Sequence, residues 1–295
     1  MDEIDIRISY ELFFNARMPY RELAEKMGLS SIAVHRRVQN MIDSGIIRGF
    51  RAGLSLQAVG GVVAAVSGNG RIDDIETTLK DLEMDGRSYK VIRSPGGFMF
   101  VEGILRDISD LDDYAGKVIG ISRLKDPKIL IPKMLTGRSH SSNKLTRTDI
   151  SIIRSLRNDC RKPLSEVAEE LNISTRTVRR RLDRMIKEGD VDLRAEMVPT
   201  ASGDIVSFFF TYLSDVYERD KLARIIQKEH FPYVMSMVPI SNVPDLLILN
   251  CWSESMREVE QLKRSLMNQY PIDRIELNVL YDMHFIDCWV DREAA

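Results

Sequence analysis

Arginine side chains are concentrated in one thirteen-residue stretch, Ser174 to Ile186. The guanidinium group is planar and donates two parallel hydrogen bonds, so it suits phosphate oxygens and other planar acceptors. Val178, Leu182 and Met185 recur at the spacing of one helical face, which predicts an amphipathic helix whose apolar stripe packs on a core. The arginines then lie beside or opposite this stripe, and their chemistry predicts contact with a polyanion.

A solvated helix face is the alternative interpretation of the same charges. Such faces usually mix charge signs, because like charges four residues apart destabilise a helix by roughly 0.2–0.5 kcal/mol per pair. Arg176 with Arg180 and Arg180 with Arg184 carry this penalty, and Asp183 is the one acidic residue in the stretch. A nucleic-acid backbone relieves the repulsion, so the bias favours nucleic-acid binding over a solvated face.

The charge of the chain is unevenly distributed. The 295 residues carry a formal net charge of -2, but residues 144–194 hold 13 basic and 9 acidic groups, whereas residues 195–295 hold 9 basic and 16 acidic groups. The acidic last third therefore offsets the charge of the basic segment in the net charge of the whole chain. Local asymmetry of this kind decides where a polyanion docks, whatever the overall isoelectric point.

Several classes of protein are disfavoured by composition. No apolar run approaches the ~20 residues that a membrane span needs, and the acidic start, Met1 to Asp5, lacks the pattern of a signal peptide. Cys160, Cys251 and Cys288 are scattered without a CxxC pair, so neither a disulfide framework nor a zinc site is predicted. The four histidines are also dispersed. We expect a cytoplasmic protein with no membrane contact, catalytic group, metal or cofactor.

The sequence contains an internal duplication. A shift of 144 residues aligns positions 5–45 with a second copy at 16 identities in 41 ungapped positions. The shared residues include Leu12 with Leu156, Arg17 with Arg161, Pro19 with Pro163, Ser30 with Ser174, and Arg36-Arg37 with Arg180-Arg181.

Each repeated segment predicts three helices. In the first copy the helices are marked by Ile4 to Leu12, Tyr20 to Met27, and Ser30 to Asp43. Gly28 and Asn172 tolerate the left-handed backbone that a tight stop between the second and third helices requires. The pattern is that of a helix-turn-helix, whose last helix enters the major groove of DNA.

The segment after each helical triplet alternates between strand and helix patterns. The predicted strands lie at 61–67, 89–94, 98–105 and 128–131 and again at 205–213, 233–238, 246–252 and 272–281, and the predicted helices at 71–84, 109–119, 217–229 and 255–270. This order, β-α-β-β-α-β, predicts a ferredoxin-like antiparallel sheet with both helices on one face. Apolar residues recur at alternate positions, so some of them lie on the helix-free face: Phe208, Phe210, Tyr212, Leu247 and Leu249. We expect a second sheet to cover this face, supplied either by the other copy or by a second chain.

The fold predicted for the whole chain is α+β, with two tandem units, each a winged-helix-like helix-turn-helix domain followed by a ferredoxin-like βαββαβ domain. The predicted boundaries are 1–52 and 53–135 for the first copy, 136–143 for a small polar linker, and 144–197 and 198–295 for the second copy.

Both copies carry motifs of a known family. The motifs are Tyr20 to Ala24, Gly28 to Ser30, Val34 to Val38 and Gly45 to Phe50, with counterparts in Ser165 to Ala168, Asn172 to Leu182 and Gly189 to Val191. Over nearly its whole length the chain resembles two tandem copies of the leucine-responsive and asparagine-regulator (Lrp/AsnC) family of prokaryotic transcription factors. The resemblance implies double-stranded DNA as partner and a homo-oligomer, a dimer, that pairs through the ferredoxin-like sheets.

The resemblance also implies a small-molecule effector, of unknown identity, but the chain departs from the family pattern there. The family's effector turn offers Gly and then Asp between the second and third strands. The first copy has Ser94 to Phe98 with no acid following, and the second has Ser241 to Asp245 with no glycine. The tandem arrangement departs as well, and leaves open whether the copies pair within one chain or between chains.

We predict that the third helices face DNA through eleven residues: Ser31, His35, Arg36 and Arg37 in the first copy, and Thr175, Arg176, Thr177, Arg179, Arg180, Arg181 and Arg184 in the second. Residues near the helix start, Thr175 to Thr177, are placed to reach base edges, while the later arginines hold phosphates. Ile32 and Ala33 at the front of the first helix predict a weaker or methyl-directed contact.

The sequence thus predicts a sequence-specific DNA-binding transcriptional regulator, not an enzyme. Two alternatives stay open. Siroheme decarboxylases resemble the same two-domain family, so a fused enzyme of that kind is the first; it needs no arginine-dense third helix and binds a tetrapyrrole. The second is a ligand sensor or architectural protein in which only one helix-turn-helix works.

Overall fold

The computed structural model describes residues 1–70, 74–133 and 145–293. The predicted linker, 136–143, lies outside these residues. The chain forms two compact units, each of which draws on both copies of the repeat. Unit 1 comprises Met1–Gly61, Thr136–Val198 and Trp289–Ala295, and unit 2 comprises Val62–Leu135 and Pro199–Cys288.

The described elements follow the predicted order. The helices are α1 (Glu3–Phe14), α2 (Tyr20–Met27), α3 (Ser31–Asp43), α4 (Leu56–Val59), α5 (Ile75–Asp85), α6 (Leu111–Ser122), α7 (Arg147–Leu156), α8 (Leu164–Glu170), α9 (Thr175–Glu188), α10 (Arg219–His230), α11 (Met256–Gln269) and α12 (Trp289–Glu293). The strands are β1 (Ile47–Leu54), β2 (Val62–Gly70), β3 (Ser88–Arg93), β4 (Phe98–Leu105), β5 (Leu124–Leu130), β6 (Val191–Met197), β7 (Ile205–Leu213), β8 (Val234–Pro239), β9 (Leu246–Ser253), β10 (Ile272–Leu280) and β11 (Asp282–Phe285). Within the described ranges, no helix is long and apolar enough to span a membrane.

Local sequence signals account for the helix-turn-helix of each copy in unit 1. The hydroxyls of Ser30 and Ser174 accept hydrogen bonds from the third residues of α3 and α9, at 3.2 and 3.1 Å, which satisfies a backbone donor of each first turn. Gly28 and Asn172 adopt φ angles of 66° and 52°, so the predicted left-handed stops are confirmed.

Unit 1 joins the two helix-turn-helix copies through a two-stranded ribbon whose pairing the sequence did not predict. Strand β1 pairs with β6 in antiparallel register, with Phe50 opposite Ala195 and Arg51 opposite Arg194. Because these pairs are nearly equivalent positions of the repeat, an internal two-fold axis passes through the ribbon. The contact is isologous, like that of a symmetric dimer, but both halves belong to one chain.

Arginine side chains repeat this two-fold relation beside the ribbon. Arg17 donates hydrogen bonds to the backbone carbonyls of Cys160 and Lys162, and Arg161 donates to the equivalent carbonyls of Ala16 and Met18. The Arg161 guanidinium also lies 4.4 Å from the ring centre of Tyr20. Arg17 and Arg161 were identified only as repeat identities, and the structure shows that they hold the two copies together.

Unit 2 contains two antiparallel sheets, and the ferredoxin-like fold of each copy is confirmed. The strand orders are β11-β3-β4-β2-β5 and β10-β7-β9-β8. The helix-free faces pack on each other and bury one apolar cluster, in which Phe208 and Phe210 contact Phe100 at ring-centre distances of 5.3 and 6.3 Å. The second sheet expected over this face is therefore supplied by the other copy in the same chain.

Some of the five alternating apolar residues lie on the helix-free face, as predicted: they are Phe208, Phe210 and Tyr212. Leu247 and Leu249 lie on the helix-covered face with Phe209, and Ile248 instead faces the other sheet with Phe210. The cause is the register, because Leu249 is paired directly with Phe209 and paired residues share a face. Strand β9 is apolar on both faces, so its sequence does not distinguish them.

Strand β11 was not predicted from the sequence. It follows the last strand of the second copy, yet it pairs with β3 of the first copy, His284 lying opposite Val91. A short segment after β5 makes the matching contact in the other direction, through the bridge between Pro132 and Ile240. A segment that follows the last strand of each ferredoxin-like copy thus pairs with the edge of the other copy's sheet.

Candidate nucleic-acid interface

Helix α9 has one face buried in the core of its own domain and one face open to solvent. Val178, Leu182 and Met185 are at most 2% exposed, as the spacing predicts. Arg176, Arg179 and Arg180 are exposed on the rest of the surface. Among the described residues, these three guanidinium groups have no hydrogen-bonding or ion-pair partner, so their charge is available to a ligand.

Two other arginines of α9 are bound inside the domain. Arg181 and Arg184 donate to the two carboxylate oxygens of Asp149 on α7, at 3.0 and 2.7 Å, and the Asp149 side chain is 0% exposed. Burial by itself raises the pKa of Asp149, but hydrogen bonds from Thr146 and Arg181 and the charge of Arg184 outweigh it and hold the pKa below its usual range. The ion pairs of Arg181 and Arg184 with Asp149 therefore fix α9 against α7.

The first copy repeats this arrangement with fewer charges. Arg37, the counterpart of Arg181, donates to Asp2 and Asp5 of the α1 start at 2.8 Å each. The hydrogen bonds that Arg37 donates to Asp5 and Asp2 raise the pKa of Arg37 against the opposing effect of burial. Asn40 occupies the position of Arg184, so α3 carries one positioning arginine where α9 has two.

The remaining predicted site residues also divide into exposed residues and residues bound within their own domain. Ser31, His35 and Arg36 are exposed on α3, and the His35 ring meets Tyr20 edge to face at 5.3 Å between ring centres. Thr175 is exposed at the start of α9, whereas the Thr177 hydroxyl lies 2.9 Å from the Ser174 hydroxyl within the cap. The structure thus brings seven of the predicted residues to the outer surface of the third helices: Ser31, His35, Arg36, Thr175, Arg176, Arg179 and Arg180.

The turns where the resemblance implies an effector site are engaged by the other copy in unit 2. Ser94 donates to the carbonyl of Val279. The amide of Asn242 donates to the carbonyl of Ile129, and its oxygen accepts from the N–H of Ile131, both at 2.8 Å. These contacts use the polar groups of both turns to hold the two ferredoxin-like copies together.

Comparison with known proteins is consistent with this geometry. Residues 1–48 match the family model of winged helix-turn-helix DNA-binding domains, and residues 145–186 match that of the AsnC-type helix-turn-helix domain. The transcriptional regulator Ptr1 of Methanocaldococcus jannaschii is 31% identical over 121 residues, which are 40% of this chain and 82% of Ptr1. The regulator LrpA of Pyrococcus horikoshii is 29% identical over 143 residues, 45% of this chain and 99% of LrpA.

A solved structure shares the tandem fold. The siroheme decarboxylase NirDL superimposes with a TM-score of 0.61 at 14% identity, over 98% of this chain and 97% of that one. At this identity the likeness concerns the fold alone.

Proposed function

Because the chain belongs to the Lrp/AsnC family of DNA-binding transcriptional regulators, we propose that a single chain binds double-stranded DNA through both of its third helices, α3 and α9. The observation that carries this proposal is the set of unpartnered, exposed guanidinium groups on α9: Arg176, Arg179 and Arg180. No acidic side chain of the described chain neutralises them, so phosphate and base edges are their natural acceptors.

In this proposal the site residues have two roles. Arg176 and Thr175, close to the helix start, reach base edges, while Arg179 and Arg180 hold phosphates. Arg181 and Arg184 act as positioning residues, because their fixed contacts with Asp149 orient α9 and leave them little freedom to reach a duplex. In the first copy Ser31, His35 and Arg36 contact DNA and Arg37 positions α3.

The experiment is a salt titration of duplex binding by the parent and by Arg179→Ala/Arg180→Ala. Log affinity falls with log salt, and each lost phosphate contact makes this negative slope shallower by about 0.9. The double variant is therefore expected to have a slope about 2 smaller in magnitude and to bind every duplex more weakly. The matched control is Arg224→Ala on α10, an exposed arginine of unit 2, which should leave the slope unchanged. An unchanged slope in the double variant would overturn the assignment of α9.

Separate variants test whether both helices work. Arg36 and Arg180 occupy equivalent, exposed positions of α3 and α9. We expect Arg36→Ala and Arg180→Ala each to weaken binding and to lower the slope by about 1. A loss confined to Arg180→Ala would instead support a sensor with one working helix-turn-helix.

We also propose that the chain acts as a regulator and not as an enzyme. The alternative is a fused decarboxylase, because the fold is that of NirDL. The exposed arginines of α9 favour DNA, since a fused decarboxylase needs no arginine-dense third helix. A visible-absorption titration with siroheme is expected to give no saturable change; a saturable change at micromolar concentration would favour the enzyme.

A further inference from the structure

The internal two-fold axis presents α3 and α9 in equivalent ways. Their caps, Ser30 and Ser174, make the same hydrogen bond. Their buried residues also fall at equivalent positions: Val34 with Val178, Val38 with Leu182, and Met41 with Met185. A residue on one helix and the residue 144 positions later on the other therefore meet corresponding places in two DNA half-sites.

The chemistry at one such pair of positions is not equivalent. Ile32 is the second residue of α3 and is 82% exposed, and its counterpart on α9 is Arg176. Both positions belong to the helix start, which is the part of a recognition helix that reaches base edges. An aliphatic side chain forms no hydrogen bond with a base edge, whereas arginine donates two.

The major groove offers a different acceptor for each side chain. The C5 methyl of thymine is its one apolar group, while guanine O6 and N7 accept the fork of an arginine. Burial against a methyl group removes exposed apolar surface of Ile32 from water, which is favourable. If guanine replaced this thymine, Ile32 could not donate a hydrogen bond to guanine O6 or N7.

We infer that the DNA site of this chain is asymmetric: thymine lies opposite Ile32 in the α3 half-site where guanine lies opposite Arg176 in the α9 half-site. The inference rests on the proposed function. A single chain then binds its site in one orientation, because reversal places Ile32 against guanine and Arg176 against thymine. Ile32 and Arg176 are the residues that determine this orientation.

The test starts with selection of duplexes from a random-sequence pool by the purified full chain. The parent is expected to enrich an inverted repeat with unlike halves. Ile32→Arg should enrich guanine in both halves, and Arg176→Ile thymine in both halves, each with about a tenfold change in base preference at that position and little elsewhere. The control is Arg224→Ala, which should retain the parental site.

A second measurement uses the parent chain alone. Replacement of the α3 half-site thymine by uracil removes only the C5 methyl, and it should weaken binding by about fivefold. Placing uracil at non-contacted thymines of the same duplex is the control and should have no effect.

The outcomes separate the two proposals. Failure to enrich any duplex would overturn the proposed function itself. Enrichment of a site with identical halves, or swaps that leave base preference unchanged, would overturn the asymmetric site while DNA binding stands. If replacing the thymine by uracil left the binding affinity unchanged, a contact between Ile32 and the thymine methyl would be excluded.

Discussion

Arginines that look alike in the sequence have different surroundings in the fold. Arg180 and Arg181 are neighbours, yet Arg180 is exposed while Arg181 is bound to the fully buried Asp149. A helix turns by about 100° per residue, so adjacent side chains point to different neighbours. A row of five arginines therefore separates into three that can meet a ligand and two that fix the helix.

The buried carboxylate predicts a pH-dependent contribution to stability. Asp149→Asn removes the charge that Arg181 and Arg184 bind, and it should lower the free energy of unfolding at pH 7 by roughly 1.5–3 kcal/mol. Because the pKa of Asp149 is lowered in the folded state, its stabilisation is present above the unfolded pKa of about 3.9 and is lost as the pH falls through the lowered value. The difference between parent and variant should therefore shrink below about pH 4.

Urea unfolding followed by circular dichroism at several pH values measures this difference. Asp183→Asn is the matched control, because Asp183 is an exposed carboxylate on the same helix. We expect that control to unfold like the parent at every pH. A difference for Asp149→Asn that stays constant between pH 7 and pH 3 would show that charge is not its cause.

At the scale of elements, the sheets of unit 2 stabilise each other through aromatic residues. Phe210 on β7 is 1% exposed, and its ring centre lies 5.8 Å from that of Phe98 on β4 of the other copy. Edge-to-face contacts of this kind add to the hydrophobic stabilisation of burial. The face-to-face packing is thus a core shared by two domains.

Truncation of this core should be costly. Phe210→Ala is expected to lower the free energy of unfolding by about 3–5 kcal/mol, because it removes a buried ring and leaves a cavity between the sheets. Tyr217→Ala, at a position 83% exposed, is the control and should change stability by less than about 0.5 kcal/mol. Equal midpoints of urea unfolding for the two variants would contradict the shared core.

At the scale of the whole molecule, duplication places both halves of a symmetric assembly in one polypeptide. The copies contact each other in unit 1 through β1 and β6, and in unit 2 through the two sheets. The helix-free sheet faces are covered within the chain, so pairing through them needs no second chain. Fusion also allows the two third helices, α3 and α9, to differ in sequence, which a homodimer of identical chains does not allow.

Cleavage of the chain tests how strongly the copies hold together. Cleavage at a protease site inserted between residues 139 and 140 would break the covalent link between the two copies. Both contacts between copies persist after cleavage, so the fragments are expected to co-elute in size-exclusion chromatography and to separate only in denaturant. Parent chain treated with the same protease is the control. Fragments that separate in native buffer would contradict the internal pairing.

The sequence by itself determined the local structure. The apolar spacing of Val178, Leu182 and Met185, the capping Ser174 and the left-handed Asn172 act within a few residues, so they identify a helix and its ends without knowledge of the fold. The repeat of these signals also identified the duplication and its family.

Only the tertiary structure decided which residues of one copy meet the other. The β1–β6 ribbon, the Arg17 and Arg161 contacts and the β11–β3 pairing join residues more than a hundred positions apart. No local pattern encodes such partners, because a strand edge or an arginine is satisfied equally by many acceptors. The orientation of Arg181 toward Asp149 depends in the same way on how α7 packs against α9, and packing between helices is set by the assembled core.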